Sequence, residues 1–328
     1  MIVAVDVGYG FTKVARAGGR RCCFPSAVAM TPGGASALAK VLGAGSAPQH
    51  RVQMQRGAAE PETFLIGEAA LAAGAGRSWE GRAAERGGYD ALVFAGLGLV
   101  GAEGPTDLRV GLPLGLYLQP AERAGLRQRL AGLAAWVSVG DGTAVWIEAE
   151  RVRVLPQGAG AFASAVTAAP DLAREPVGLI DVGYRTTDLL LMRPGGAGLI
   201  PDEPACGSFD AGAGRVYERV RRTVGARAGV LVPEGAVEDA LAHLAGRLIV
   251  RGREYDLGAL VNAEAEHLAT EVATQVRRLW SDRLDFLGTV LLAGGGGALL
   301  LPHLGALHPA LRLLPDPVYA NAAGFLLM

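Results

Sequence analysis

The sequence predicts an α/β protein of two similar lobes facing one another, and three observations carry that prediction. The first is a segment that occurs twice, VAVDVGYGFTKV at 3–14 and GLIDVGYRTTDLL at 178–190. Each copy is an apolar β-prone run, an Asp-Val-Gly-Tyr turn and a second apolar run, the pattern of a strand, a tight turn and a returning strand. The second is length, since 328 residues exceed the usual ceiling of one hydrophobic core. The third is the alternation of strand-like and helix-like periods in both halves, which indicates α/β architecture.

In chain order, residues 1–17 read as the first hairpin, and RCCFPSAV (21–28) as a short strand ending at Pro25. From about 31 to 88 the chain is rich in Gly and Ala. One hairpin is expected there, HRVQMQ at 50–55 with ETFLIGEAAL at 62–71, as a small surface excursion. YDALVFAGLGLV (89–100) suits a buried helix, and TDLRVGLP (106–113) a buried strand and turn. Residues 120–136 have an amphipathic helical period opening on Pro120. Strands are expected at 144–155, then Pro156-Gln157 and the small-residue helix GAGAFASAVTAA. The second half brings a hairpin at 177–192, a helix entry GSFDAGAG (207–214) and a helix at 234–246. A hairpin LIVRGREYDL, a long helix at 263–284, a buried strand GTVLLAGGGG and a terminal helix after Pro317 complete it. The lobes are assigned as 1–156 plus 310–328, and 157–309.

Composition narrows the function classes. Half the residues are hydrophobic and 19% are charged, which fits a folded globular chain. A net charge of −1 offers no basic field for direct nucleic-acid or anionic-membrane binding. Lysine occurs only at positions 13 and 40 among 31 basic residues, a bias better read as codon usage than as thermophily. Cys22, Cys23 and Cys206 form no C-x-x-C and are odd in number, so neither disulfides nor a zinc site are expected. The chain enters its first strand without a leader-like segment, and a soluble, cytoplasmic protein is expected. Residues 286–311 lack Asp, Glu, Lys and Arg. Gly294–Gly297 and Pro302 nevertheless favour strand, loop and short helix over a membrane span.

The repeated turns carry the chemistry. Each directs backbone N–H groups into one concavity, which favours phosphate oxygens. Asp6 and Asp181 end their strands at that mouth, where carboxylates hold a hydrated Mg²⁺. In the first loop Gly8 and Gly10 admit close backbone approach, with Thr12 and Lys13 near phosphate. Lysine suits a point charge on a β- or γ-phosphate, the plainer reading being an exposed strand residue. The second loop offers Gly183, Thr186 and Thr187, the plainer reading being an ordinary β-turn. Tyr9, Tyr184 and Arg185 complete the two loops as candidates, and the tyrosine rings have to point away from the phosphates. Gly294, Gly295, Gly296 and Gly297 let a backbone lie flat against adenine and ribose, unless they merely turn a strand into a helix. Gly96, Gly98 and Gly101 match G-x-G-x-x-G without the strand before and helix after that the motif requires. No Walker A, H-E-x-x-H or G-x-S-x-G pattern occurs.

DVGYGFTK, FPS (24–26), IGEAA (66–70), GLP (111–113), DVGYRTTD, AGGGG (293–297) and YANAAGF (319–325) stand in an order that resembles bacterial and archaeal actin-like ATPases. The chain looks like the ParM-type plasmid-segregation branch and the archaeal actin-like proteins near it, along nearly its whole length. The resemblance implies the actin-like, duplicated ribonuclease H-like fold, binding of ATP or GTP with Mg²⁺, and nucleotide-controlled filaments. It implies a homopolymer as partner, a DNA-binding adaptor, no direct nucleic-acid contact and no membrane. It places Gln157 at the hinge near the attacking water, where an amide orients rather than deprotonates; related plasmid actins often carry glutamate there. Gln157 as a helix cap is the competing reading. Asp210 with Gly212 is placed near the ribose, with Asp210 equally readable as an N-cap. Two alternatives keep the fold. One is a small-molecule kinase using Asp107 as base, and the other is a non-hydrolysing scaffold docking through the apolar end Phe325–Met328.

Overall fold

Apolar, β-branched IVAVDV forms the central strand Ile2–Val7 (β1), which turns back as Phe11–Arg16 (β2) and Arg21–Pro25 (β3). These elements belong to a computed structural model that describes residues 1–30, 51–77, 88–196 and 198–328. Val28–Met30 (β4), Arg51–Gln55 (β5) and Glu62–Ile66 (β6) follow, then helices Glu68–Ala72 (α1) and Gly88–Leu99 (α2). Gly104–Leu112 (β7), Leu114–Tyr117 (α3), Pro120–Leu130 (α4), Ala134–Val139 (β8), Val145–Pro156 (β9) and Ala159–Ala168 (α5) complete the first half. Among the described residues nine strands make one sheet, ordered β3-β2-β1-β7-β9-β8-β5-β6-β4. β1 is antiparallel to β2 and parallel to β7, so it is buried on both faces and reads as a continuous apolar run. Helix α2 is buried along most of its length; a methyl at Gly96 would press on Val14 of β2. The G-x-G-x-x-G match therefore lies largely within a packing helix and its C-terminal turn.

Two expectations change here. The 50–71 hairpin is not a surface excursion: β5 pairs with β8, and Val52, Met54, Phe64 and Ile66 are core residues. Its remaining flanks, 31–50 and 78–87, lie outside the described residues. The helix expected over 120–136 stops at Leu130, because Gly132 takes φ 72° and AAWVSV alternates in burial as β8.

The second half repeats the scheme. Val177–Val182 (β10) is antiparallel to Thr187–Gly195 (β11) and parallel to Thr289–Ala293 (β16). Gly198–Pro201 (β12), Gly207–Phe209 (β13) and Leu311–Leu313 (β17) extend that sheet. Helices Gly214–Ala228 (α6), Ala236–His243 (α7), Gly258–Trp280 (α8) and Gly297–Leu304 (α9) pack around it, with a separate hairpin Arg247–Val250 (β14) and Arg253–Asp256 (β15). The uncharged 286–311 stretch is β16, a glycine turn and α9 with its flanking loops. Among the described residues no helix is long and apolar enough to cross a membrane. The long helix expected at 263–284 runs from Gly258 to Trp280 and gives way to a 3-10 turn at Ser281–Phe286.

The chain divides into two compact units, Met1–Ser164 with Asn321–Met328, and Ala165–Ala320. The divisions fall within α5 and the terminal helix Ala320–Phe325 (α10), rather than at 156/157 and 309/310. Each unit has its own core. Val3, Val5, Phe94, Leu108 and Ile147 anchor the first, and Ile180, Val220, Val272, Trp280 and Leu292 the second.

Candidate active site

In the first unit the β1–β2 register sets Lys13 opposite Asp6, and their side chains meet at 3.4 Å. Asp6 is 3% exposed. Its other carboxylate oxygen accepts a 2.6 Å hydrogen bond from Gln157 Nε2, which lies just past the end of β9. Hence one carboxylate and one ammonium of the first hairpin and one amide from 151 residues further on form one cluster. Gly8 N–H donates to Phe11 O (3.1 Å), closing the turn. Ser26 Oγ donates to Gly8 O (2.6 Å) and shares a 2.9 Å bond with Thr12 Oγ1. Thr12 is thus fully buried, and its hydroxyl shapes the turn from behind rather than reaching toward a ligand. Tyr9 is half-buried, and Gly10 O accepts from Ser26 N (2.9 Å) and from Arg77 Nη1 (3.4 Å).

The second unit reproduces the turn: Gly183 N–H donates to Thr186 O at 2.9 Å. Thr187 corresponds to Thr12, is likewise fully buried, and donates to Ala211 O at 2.5 Å. The register differs in one position of consequence. Asp188 stands opposite Asp181 where the first hairpin has Lys13 opposite Asp6. An Asp–Lys pair suits phosphate, whereas an Asp–Asp pair suits a hydrated cation. Tyr184 points away from the turn mouth, as required: its hydroxyl donates to Glu238 Oε1 (3.0 Å) and its ring packs on Gly214. Arg185 Nε donates to Asp210 Oδ1 at 3.3 Å, both side chains well exposed. Asp210 does not cap α6, whose N-cap position is Ala213 with no side-chain cap.

Glycine is enforced where these loops converge. A Cβ at Gly212 would lie 2.5 Å from the backbone of Tyr184, and Gly214 N–H donates to Tyr184 O at 2.7 Å. Gly294 has φ 80°, where a side chain would strike Val182 O and approach Asp181 Oδ1. Gly296 and Gly297 are held against Val182 and Leu292, while Gly295 alone of the four faces open space. The glycine run therefore serves the strand-to-helix turn at three of its four positions. Directly after Gly214, Arg215, Arg219, Glu264, His267 and Glu271 line a groove of about 240 Å³ between α6 and α8. Arg215 pairs with Glu271 (2.8 Å) and Arg219 with Glu264 (3.2 Å). Sequence reasoning missed this groove, since no motif links two helices so far apart in the chain.

It also missed Asn321, although YANAAGF was singled out. Asn321 Oδ1 accepts from Gly158 N (2.7 Å) and Ala161 N (3.2 Å), capping α5 and fixing the loop that carries Gln157. Its being one of two asparagines was the available signal. Asn321→Ala is expected to lose about 1–2 kcal/mol of stability, the worth of a cap. Asn321→Asp, which keeps the acceptor, should retain most of it; urea melts of both variants check this.

Taken unit by unit, the carboxylates fit Mg²⁺ in kind: Asp6 in the first unit, and Asp181 facing Asp188 in the second, are oxygen donors that would each leave most of the shell to water and phosphate. Among the described residues no three His, Cys, Asp or Glu side chains gather as a metal cage. Burial pushes the half-buried Cys22 thiol up to about 12 and raises Cys206, the opposite of the shift that activates a thiolate. Asp107, the alternative base, lies opposite Ile2 and not beside Asp6. It is therefore four residues, about 13 Å, back along the strand.

Comparison with known proteins agrees with this architecture. Residues 4–160 match the family model of the actin-like protein N-terminal domain, and 179–306 that of the archaeal actin homologue MreB-like C-terminal domain. An archaeal actin homologue of Thermoplasma acidophilum is 25% identical over 99% of this chain and 97% of its own. The structure of a 15-stranded ParM filament from Clostridium botulinum superposes with TM-score 0.84 at 21% identity, over 99% of this chain and 97% of that one. The archaeal actin homologue Ta0583 in complex with ADP superposes with TM-score 0.77 at 22% identity, with the same coverage.

Proposed function

The chain belongs to the actin-like proteins, and from that membership we propose that it is a Mg²⁺-dependent nucleoside triphosphatase, using ATP or GTP. Its nucleotide state would control head-to-tail assembly into filaments that segregate DNA or position another cargo. The observation that carries the reading is the pair of matched aspartate-led turns, one of them closed by Lys13 and Gln157. The nucleotide complex of Ta0583 and the filament of the ParM relative support it.

Hydrolysis of a terminal phosphate needs positioning and charge stabilisation more than covalent chemistry. Bound Mg²⁺ would neutralise charge on the phosphate oxygens. Within the first unit Lys13 and the turn amides would receive phosphate oxygens, with Asp6 holding Lys13 and Gln157 in place, and the matching turn of the second unit is suited to the same chemistry. Gln157 spends Nε2 on Asp6, which leaves Oε1 as an acceptor that orients a water. Gly295 and the groove of Arg215, Glu264 and His267 take the nucleoside, because they continue directly from the loop at Gly212–Gly214. The kinase reading loses its base, given the position of Asp107.

Gln157→Ala is expected to slow hydrolysis about 100-fold, the scale of a misplaced reacting group, with nucleotide affinity nearly unchanged. Equal phosphate-release rates in variant and wild type would remove Gln157 from the mechanism. Titration calorimetry with Mg²⁺-ATP and Mg²⁺-GTP tests the reading as a whole, and pelleting with electron microscopy tests assembly. Absence of purine-nucleotide binding in both titrations would sink it.

A further inference from the structure

Within the first unit, the second half of β9 is an open sheet edge. β8 pairs with β9 only at 145–148, and the residues leading into β8, Gly132 and Leu133, bond to Ala149. Beyond that point, among the described residues, no strand pairs with 151–156 on the side away from β7. The ladder shows which backbone groups are left over. Gln157 N–H donates to Leu112 O at 2.9 Å, so the two-residue period turns Arg153 and Leu155 toward β7. Val152 and Val154 direct their N–H and C=O groups outward instead. Their side chains are only half-buried, whereas Leu108 and Val110, their partners on β7, are fully buried. A groove of about 500 Å³ lies between this edge and α4, within the range of ligand sites, roughly 300–1,000 Å³. Arg123 and Arg127 of α4 line it together with Val152, Arg153 and Val154, and among the described residues its lining holds no carboxylate. Arg123 donates to the Tyr117 carbonyl and Arg153 to that of Met328, each at 3.0 Å. A guanidinium has several N–H donors, so both keep others for a guest. The acids next in sequence, Glu122 and Glu150, are exposed and lie outside the lining.

We propose that this edge takes an extended acidic segment of another protein as an added strand. The guest backbone bonds to Val152 and Val154, its apolar side chains complete the cover over those valines, and its carboxylates meet Arg127 and Arg153. In such additions the main-chain bonds supply affinity and the alternate side chains supply specificity. Two arguments make the guest acidic. The cations are unopposed within the groove, so carboxylates gain charge-assisted hydrogen bonds there. A second copy docking edge to edge would instead set arginine against arginine, which like-charge repulsion disfavours. An open edge pairs indiscriminately unless something restricts it, and the arginines restrict this one to a guest of opposite charge. The inference is independent of the nucleotide reading, because no residue of the candidate active site lines this groove.

The test uses the full chain and a fluorescein-labelled synthetic peptide of alternating valine and glutamate, followed by anisotropy. Saturable binding is expected, weakened about tenfold or more when alternate peptide amides are N-methylated or when lysine replaces glutamate. Arg127→Glu should weaken it about fivefold or more, whereas Arg127→Lys, which keeps the charge, should retain most of it. Hydrogen exchange reads the edge directly. In the free chain the amides of Val152 and Val154 should exchange faster than those of Arg153 and Leu155, and bound peptide should slow them. Slow exchange at both valines without peptide would show the edge already closed and overturn the proposal. No binding up to about 1 mM peptide, or equal affinity for the N-methylated form, would overturn it as well. Equal competition by a single-stranded oligonucleotide would make the arginines a general polyanion site, and the added strand would fall.

Discussion

Asp6→Ala is expected to weaken Mg²⁺-nucleotide binding by about 100-fold or more, near 2.7 kcal/mol of binding free energy. Asp6 is buried and accepts from both Lys13 and Gln157, so its removal acts three ways. On the proposed function a carboxylate for the hydrated cation is lost; Lys13 also loses the Asp6 charge, and the Gln157 amide loses the acceptor that orients it. Leaving a shielded ammonium without its partner is itself costly, which lowers stability as well. Asp6→Asn separates these effects, because it keeps an acceptor for Gln157 and removes the charge. Calorimetric titration with ATP and GTP in Mg²⁺ and in EDTA reads the result. A Mg²⁺-dependent affinity that survives in both variants would exclude Asp6 from cation binding.

Gly324→Ala is expected to be the most destabilising single methyl in the first unit. Helices α5 and α10 touch backbone to backbone, and a Cβ at Gly324 would collide with the Gly160 carbonyl. A carbonyl cannot swing aside as a side chain can, so the helices must part. Parting them pulls Asn321 from the N–H groups of Gly158 and Ala161 and disturbs Phe325, whose carbonyl accepts from Arg109 at 2.9 Å. A cost of about 3 kcal/mol is expected, at the upper end of overpacking penalties. For a unit of this size that corresponds to a melting point lower by about 6–12 °C. Calorimetric melting of the variant within 2 °C of wild type, on that same scale, would show that the crossing relaxes freely. The loss should also reach hydrolysis, because Asn321 fixes the loop bearing Gln157.

Much of the candidate site's local geometry was legible in the sequence because it lies within one hairpin. A strand, a glycine turn and a returning strand within a dozen residues place Asp6 opposite Lys13 through period-two pairing alone. The repeat at Asp181 is legible for the same reason. What the linear reading misplaced depends on neighbours distant in the chain. Thr12 and Thr187 look like phosphate contacts, yet Ser26 and the carbonyl of Ala211 claim their hydroxyls. AAWVSV continues a helical period on paper, but β5 and β9 offer it two strand edges. Asp210 reads as a cap, and Arg185 takes it instead.

The chain's own order of residues determined the duplicated α/β design, the two aspartate-led turns and the glycines between strand and helix. Those features are encoded by backbone preference and hydrophobic period over short stretches. Only the tertiary structure decided that Gln157 bonds to Asp6 across 151 residues and that Asn321 caps α5. Such contacts arise when separate segments pack, and their energies depend on distances that no single stretch of sequence contains.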